Sequence, residues 1–180
     1  MKELFEEIPR LENGRVVLRR VVDSDAPALS ELIRNDRVYR YLPTFLFERK
    51  YADVHEVIRR LYEECFRNRE SIILGVCLRD GGDFCGLAEM YGYREDMHKV
   101  SIGYRLLERR WGQGLASEAA ALMVDYLYAR TDVEIITAST MVENQASAGV
   151  LRKNGFIMTA AAVEEDWGYP RPTIADKWFR

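Results

Sequence analysis

The chain has 180 residues, enough for one domain that closes its own core without disulfides or metal. Apolar residues make up 48% and charged residues 31%, a globular composition that excludes disordered and fibrous classes. With 26 basic and 29 acidic residues the net charge is −3, which argues against nucleic-acid binding. No apolar run nears the ~18 residues of a membrane-spanning helix. Cys65, Cys77 and Cys85 are odd in number and form no Cys-x-x-Cys. His55 and His98 lie far apart, so no metal site is expected. Free thiols point to the cytoplasm, and the opening Met1-Lys2-Glu3 is too acidic and mixed for a transit peptide.

Arg15 to Val22 reads as a strand. Ser24 or Asp25 then caps a helix with Pro27 in its first turn and Leu29, Leu32 and Ile33 on one face. Tyr39 to Phe47, aromatic-rich and broken by Pro43, reads as a loop. A longer helix covers Ala52 to Arg67, with Val54, Val57, Ile58, Leu61, Tyr62, Cys65 and Phe66 as its core-facing stripe. Ile72 to Leu78 is a continuous apolar strand, buried on both faces. Asp80-Gly81-Gly82-Asp83 turns the chain into a return strand from Phe84 to Gly92. Lys99 to Leu106 forms the next strand. A helix from Leu115 to Ala129 is followed by a β-branched strand from Val133 to Thr140. Asn144 caps a short helix that ends at Gly155. Strands Phe156 to Val163 and Thr173 to Phe179 complete the chain. The order is β-α-α-β-β-β-α-β-α-β-β. It predicts one α/β domain of α+β type over residues 1–180, with about four helices and a mixed, mostly antiparallel sheet.

The segment Glu108-Arg109-Arg110-Trp111-Gly112-Gln113-Gly114 joins a strand to a helix. Glycines let backbone N–H groups approach a ligand, and a helix N-terminus adds partial positive charge and unpaired donors, a setting suited to pyrophosphate. A tight turn that merely starts a helix explains the same glycines. A P-loop fails because no Lys follows Gly114. A dinucleotide site would need a third glycine, where Ser117 stands, and Glu134 falls at the start of its strand rather than the end. A coenzyme A site is the third option.

Arg110-Trp111-Gly112-Gln113-Gly114-Leu115-Ala116-Ser117-Glu118-Ala119 resembles the acyl-CoA loop of the GNAT N-acetyltransferases, [QR]-x-x-G-x-[GA]. Trp111 takes the first position, Gly114 the fourth and Ala116 the sixth. Trp departs from the general motif and is similar to the W-G-x-G of the subgroup that includes the RimJ and RimL ribosomal-protein N-terminal acetyltransferases. Asn144-Gln145-Ala146-Ser147 with Leu151-Arg152-Lys153-Asn154-Gly155-Phe156 resembles that subgroup's N-x-x-S…L-x-K-x-G-F. Arg15-Val16-Val17-Leu18-Arg19, Asp25 and Tyr41-Leu42-Pro43 resemble its opening. The resemblance runs from about Leu11 to the C-terminus.

It implies a sheet splayed into a V between the strands at Lys99–Leu106 and Val133–Thr140. The reaction it implies is acetyl transfer from acetyl-CoA to a primary amine by direct attack in a ternary complex, without metal. The acceptor it suggests is a protein N-terminal α-amine, as on a ribosomal protein, or a small amine, since the subgroup includes enzymes acting on both. The chain is then a monomer or a homodimer, with no nucleic-acid or membrane partner. For the cofactor, the resemblance implies the backbone of Tyr104, Arg105 and Leu106 along the pantetheine arm. It implies the N–H groups of Gly112, Gln113, Gly114, Leu115, Ala116 and Ser117 around the pyrophosphate, next to Trp111. Arg109, Arg110, Arg152 and Lys153 are within reach of phosphates, and Asn144 bonds the arm. Ser147 is implied as the acid that protonates the leaving thiolate, since Leu151 stands where other members carry a tyrosine. Glu165, within Glu164-Glu165-Asp166, matches the subgroup's base in register. Glu89 is a second base candidate on the residues alone: it interrupts the apolar run Phe84 to Tyr91, and an inward carboxylate needs a partner or a purpose. Two rival readings are a non-catalytic acyl-CoA sensor and a dinucleotide-dependent oxidoreductase using Gly112 and Gly114.

Overall fold

The structure, a computed structural model, describes residues 3–44 and 46–180. Met1 and Lys2 of the opening segment and Phe45 of the aromatic loop lie outside the described residues. Eight strands form one sheet: β1 (Leu11–Glu12), β2 (Val16–Arg19), β3 (Ser71–Leu78), β4 (Phe84–Arg94), β5 (Lys99–Leu106), β6 (Ile135–Met141), β7 (Ile157–Glu165) and β8 (Thr173–Phe179). They lie in the order β1-β2-β3-β4-β5-β6-β8-β7. Every pair is antiparallel except β5–β6. That one parallel pair follows from the crossover through the long apolar helix between them.

The helices are α1 (Ala26–Arg34), α2 (Asp36–Tyr39), α3 (Val54–Glu56), α4 (Tyr62–Arg67), α5 (Leu115–Arg130) and α6 (Gln145–Lys153). A π-helical turn, Val57–Leu61, joins α3 to α4 without a break. The result is the single helix expected from Ala52 to Arg67, started late because Asp53 accepts from the His55 N–H at 2.9 Å and so caps it. The short β1 and α2 carry too few apolar positions to show periodicity and were not expected. Of the two caps expected, Ser24 or Asp25, Asp25 stands at the N-cap position of α1, but its side chain does not cap the helix. A 3₁₀ turn, Asp23–Asp25, precedes α1, and α1 receives no side-chain cap. The Asp25 carboxylate instead accepts from the Val22 N–H at 2.9 Å and from two Arg19 nitrogens at 2.8 and 2.9 Å.

Strand periodicity sends alternate residues to two cores. Ile72, Leu74 and Val76 of β3, with Ala88 and Met90 of β4, pack on the face covered by α5 and α6. Ile73, Cys77 and Leu87 pack on the opposite face with residues of α1, α2 and the α3–α4 helix. This is why β3 reads as an unbroken apolar run.

The parallel β5–β6 pairing has three rungs: Lys99↔Ile135, Val100↔Ile136 and Ser101↔Thr137. Beyond Ser101 the strands part, although β5 continues to Leu106 and β6 to Met141. The hydroxyls of Ser101 and Thr137, 2.9 Å apart, clip the fork where it opens. The V expected between these strands is present.

Candidate active site

The fork opens into a cleft of about 500 Å³. Its walls include Gly103, Tyr104 and Arg105 of β5, Ser139 and Thr140 of β6, and Ser147 of α6. Because the strands have parted, the cleft passes from one face of the sheet to the other. Residue alternation along β5 then gives each mouth its own chemistry. Tyr104 faces α6, while Gly103 and Arg105 face the layer built by the α1–α4 helices.

On the α6 mouth, the Tyr104 hydroxyl lies 3.0 Å from Ser147 Oγ and 3.1 Å from the Ser147 carbonyl oxygen. Burial pushes the Tyr104 phenol above its ordinary pKa, against the opposing effect of the Ser147 hydrogen bond, so it keeps its proton and serves as a donor. Asn144 accepts from the Ser147 N–H at 3.2 Å and caps α6, as its sequence position predicts. Both Asn144 and Ser147 line the cleft. Leu151, in the position where other family members carry a tyrosine, is fully buried.

The glycine segment leads directly into α5. Gly112 and Gly114 both adopt left-handed φ, 71° and 81°. A Cβ at Gly112 would meet nothing within 4 Å, and at Gly114 only Arg15 Nη1 at 3.8 Å. The requirement for glycine there is therefore backbone conformation, and the space in front of the loop is open. The first N–H groups of α5 have no partners within their own helix. This exposed, open cradle fits a pyrophosphate. Trp111 Nε1 donates to the Leu106 carbonyl at 2.9 Å and fastens the loop to the end of β5. Gly86 lets β4 lie close against the end of β5, since a Cβ there would lie 2.3 Å from the Arg105 carbonyl oxygen.

The arginines expected near phosphates are engaged elsewhere. Arg109 donates to both Glu31 oxygens at 3.2 Å, and Arg110 pairs with Asp83 at 2.9 Å. The Arg152 guanidinium sits 5.2 Å from the Trp178 ring centre. Gln113 Nε2 donates to the Arg109 carbonyl at 3.0 Å. Leu115 is buried as the first residue of α5, which leaves its N–H as the group it can offer.

The opposite mouth is charged. Arg105 and Glu48, with side chains only 4% and 2% exposed, form a buried ion pair. Arg105 Nη1 also donates to Glu89 Oε2 at 3.2 Å. Glu48 in turn accepts from the hydroxyls of Tyr39 at 3.3 Å and Tyr62 at 3.5 Å. Burial alone would lower the Arg105 pKa; the Glu48 and Glu89 carboxylates outweigh it and hold the guanidinium well above its ordinary value. The side chain of Arg105 thus serves the carboxylates, and only its backbone remains available to a pantetheine arm. Glu165 pairs with Lys177 and accepts from Trp167 Nε1 at 3.1 Å; Lys177 also donates to Ser139 Oγ at 2.9 Å. Glu89, Glu165 and Ser147 all line the one cleft, so the three residues singled out for proton transfer are brought together. Among the described residues no cluster of three or more His, Cys, Asp or Glu could hold a metal ion.

Glu48 was missed. It sits in Phe47-Glu48-Arg49-Lys50, whose pattern is that of a solvated turn. The available signal was in its partners, because Arg105 and Glu89 put opposite charges into two otherwise apolar neighbouring strands.

The sequence matches the acetyltransferase (GNAT) domain family over residues 15–157. It is 29% identical over 150 residues to the uncharacterized N-acetyltransferase YoaA of Bacillus subtilis strain 168, covering 82% of each chain. Among solved structures, the ribosomal L7/L12 α-N-protein acetyltransferase RimL in complex with coenzyme A superposes with a TM-score of 0.79 at 18% identity, over 96% of this chain and 97% of that one. Spermidine N-acetyltransferase from Vibrio cholerae, in complex with coenzyme A and spermine, gives 0.76 at 19% identity, over 93% and 96%. The one parallel strand pair is incompatible with a doubly wound dinucleotide fold, so the oxidoreductase reading falls; the non-catalytic reading falls with the match to the acetyltransferase family. A sheet split at β5–β6, a glycine loop entering α5 and a family match across most of the length agree: this chain belongs to the GNAT family and is an N-acetyltransferase.

Proposed function

We propose that the chain transfers the acetyl group of acetyl-CoA to a primary amine by direct attack, with both substrates in the cleft at once. The observation that carries this reading is the through-sheet cleft, with a hydroxyl pair at one mouth and carboxylates at the other. The α6 mouth adjoins Asn144 and the end of β5, and Trp111 ties that end to the glycine loop, so it is the side for the cofactor. The carboxylate mouth is the side for the amine.

Backbone N–H groups from Gly112 to Ser117 would hold the pyrophosphate, and the parted edge of β5 at Tyr104–Leu106 would hold the arm. When bound, acetyl-CoA supplies a thioester whose acyl carbon forms the new C–N bond as the C–S bond breaks and the sulfur leaves as thiolate. Glu89 takes a proton from the acceptor ammonium. Its Oε2 is held by Arg105, and no hydrogen bond engages its Oε1 among the described residues. Glu165 shares the cleft, but its carboxylate is committed to Lys177 and Trp167, which makes Glu89 the better base. Ser147 Oγ–H passes a proton to the departing sulfur, and the protonated Tyr104 phenol orients it. The attacking nitrogen passes its second excess proton, through solvent, to the Ser147 oxygen and restores the hydroxyl; Glu89 returns its proton to solvent, so ammonium and acetyl-CoA give amide, free CoA thiol and one released proton. Positioning two substrates this way converts a bimolecular reaction into an effectively intramolecular one.

The acceptor we propose is a protein N-terminal α-amine, supported by the W-G-x-G and N-x-x-S resemblance and by the fold shared with RimL. The test is thiol release and mass spectrometry with acetyl-CoA against a panel of ribosomal-protein N-terminal peptides, spermidine and small monoamines. Acetylation of a peptide α-amine is the expected result; transfer to a polyamine alone would replace that acceptor, and transfer to none would overturn the proposal.

A further inference from the structure

The row Glu48–Arg105–Glu89 has a feature that packing does not require. One guanidinium serves two carboxylates, so the buried group carries one excess negative charge. Arg105 and Glu89 line the cleft, and Glu48 stands behind them, outside its lining. The far end is fixed outside β5, on the segment that follows the aromatic loop, where the two tyrosine hydroxyls bond Glu48. Replacing such a row with apolar residues is often neutral or stabilising, so its retention at the mouth of the cleft calls for a functional account.

We propose that Glu48 and Arg105 are positioning residues for Glu89, sharing one guanidinium between two carboxylates so that Glu89 is turned toward the amine and only partly neutralised by its own partner. This rests on the reading of Glu89 as proton acceptor given above. Arg105 alone would hold Glu89 in place but would strip it of much of its affinity for a proton. Glu48 competes for the same guanidinium and restores that affinity. Among the described residues, the charged and titratable groups facing the row are Tyr39 and Tyr62 at Glu48, Arg49 stacked at 4.0 Å on the Tyr39 ring, Cys65 in the α3–α4 helix, and Tyr91 beside Glu89, with Glu165 and its partner Lys177 across the cleft.

The test is the pH profile of kcat/KM for one good amine acceptor, with the acetyl-CoA Kd measured alongside. Glu48→Gln leaves Arg105 to Glu89 alone. The acid limb should move to lower pH and the rate at pH 7 should fall by up to about 10²-fold, the low end of what general-base assistance contributes, with the acetyl-CoA Kd within about twofold. Glu48→Asp keeps the charge, so its acid limb should stay in place whatever its rate. Tyr39→Phe removes a donor from Glu48, strengthens the hold of Glu48 on Arg105, and should move the limb the other way. If Glu48→Gln does not fold, the opposite shift in Tyr39→Phe still decides. An unmoved acid limb in the folded variants, with an active wild type, overturns this inference alone. A wild-type chain that acetylates no amine overturns it together with the proposed function.

Discussion

The two faces of β5 solve different problems. On the α6 face, Tyr104 and Ser147 form a neutral pair of hydroxyls, a hydrogen bond of ordinary strength between groups that keep their protons. On the other face, one residue away, Arg105 lies among carboxylates with almost no solvent to share the charge. The neutral side is positioned by a helix cap and costs little to build. The charged side is positioned by a network in which every member depends on the others. The cofactor mouth should therefore fail gradually when altered, and the amine mouth abruptly.

Six substitutions test that contrast, beginning with the most severe. Arg105→Met leaves Glu48 and Glu89 uncompensated in the interior. The expected loss is about 3–5 kcal/mol of stability, read by chemical denaturation, whereas Tyr104→Phe should lose only about 1 kcal/mol. Equal losses for the two would erase the distinction between the faces. Glu89→Gln keeps the shape of the row and removes the base. Activity at pH 7 should fall by about 10²-fold or more and recover in part near pH 9, where free amine is abundant; a constant ratio to wild type across pH would limit Glu89 to positioning. Ser147→Ala should lower kcat by about 10²-fold, the low end for acid–base assistance, with acetyl-CoA affinity retained. An unchanged kcat would return Ser147 to a role as helix filler. Gly114→Val places a β-branched residue at φ 81°. With open space around the Cβ, its effect is backbone strain of about 1–2 kcal/mol, or roughly tenfold in acetyl-CoA Kd; undiminished affinity in the folded variant would remove the loop from the cofactor site. Glu165→Gln, already neutralised by Lys177 in the wild type, should change kcat/KM by less than about fivefold. A pH-dependent loss as large as that of Glu89→Gln would exchange the roles of the two carboxylates.

What the sequence disclosed follows from range. Elements fixed by local chemistry were legible: β8 from Thr173 to Phe179, the Asn144 cap, and the start of α5 at Leu115 just beyond the left-handed Gly114 all stand where the pattern placed them. The left-handed glycine loop and the place of Ser147 in the first turn of α6 were legible because local pattern fixes them, whereas the Tyr104 hydroxyl that meets Ser147 comes from 43 residues away. Asp25 was misread as a cap because a Ser-Asp-Ala-Pro start looks alike whether the carboxylate turns to its own helix or back to Arg19. Glu48 and the engagements of Arg109 and Arg110 were illegible for a stronger reason. Each bond joins residues far apart in sequence, 57 in the case of Arg105 and Glu48, and no periodicity carries that information.

The three rungs between β5 and β6 also govern the order in which the molecule assembles. Ser101 and Thr137 are 36 residues apart, so their parallel pairing waits for the intervening chain, α5 included, to compact. The β3–β4 hairpin, closed over a short turn, has no such delay. Non-local parallel pairing is the slow kind. The fork exists only once those rungs close, so in refolding from denaturant, recovery of activity should trail recovery of secondary structure, and catalysis becomes a readout of the final step of folding rather than of collapse.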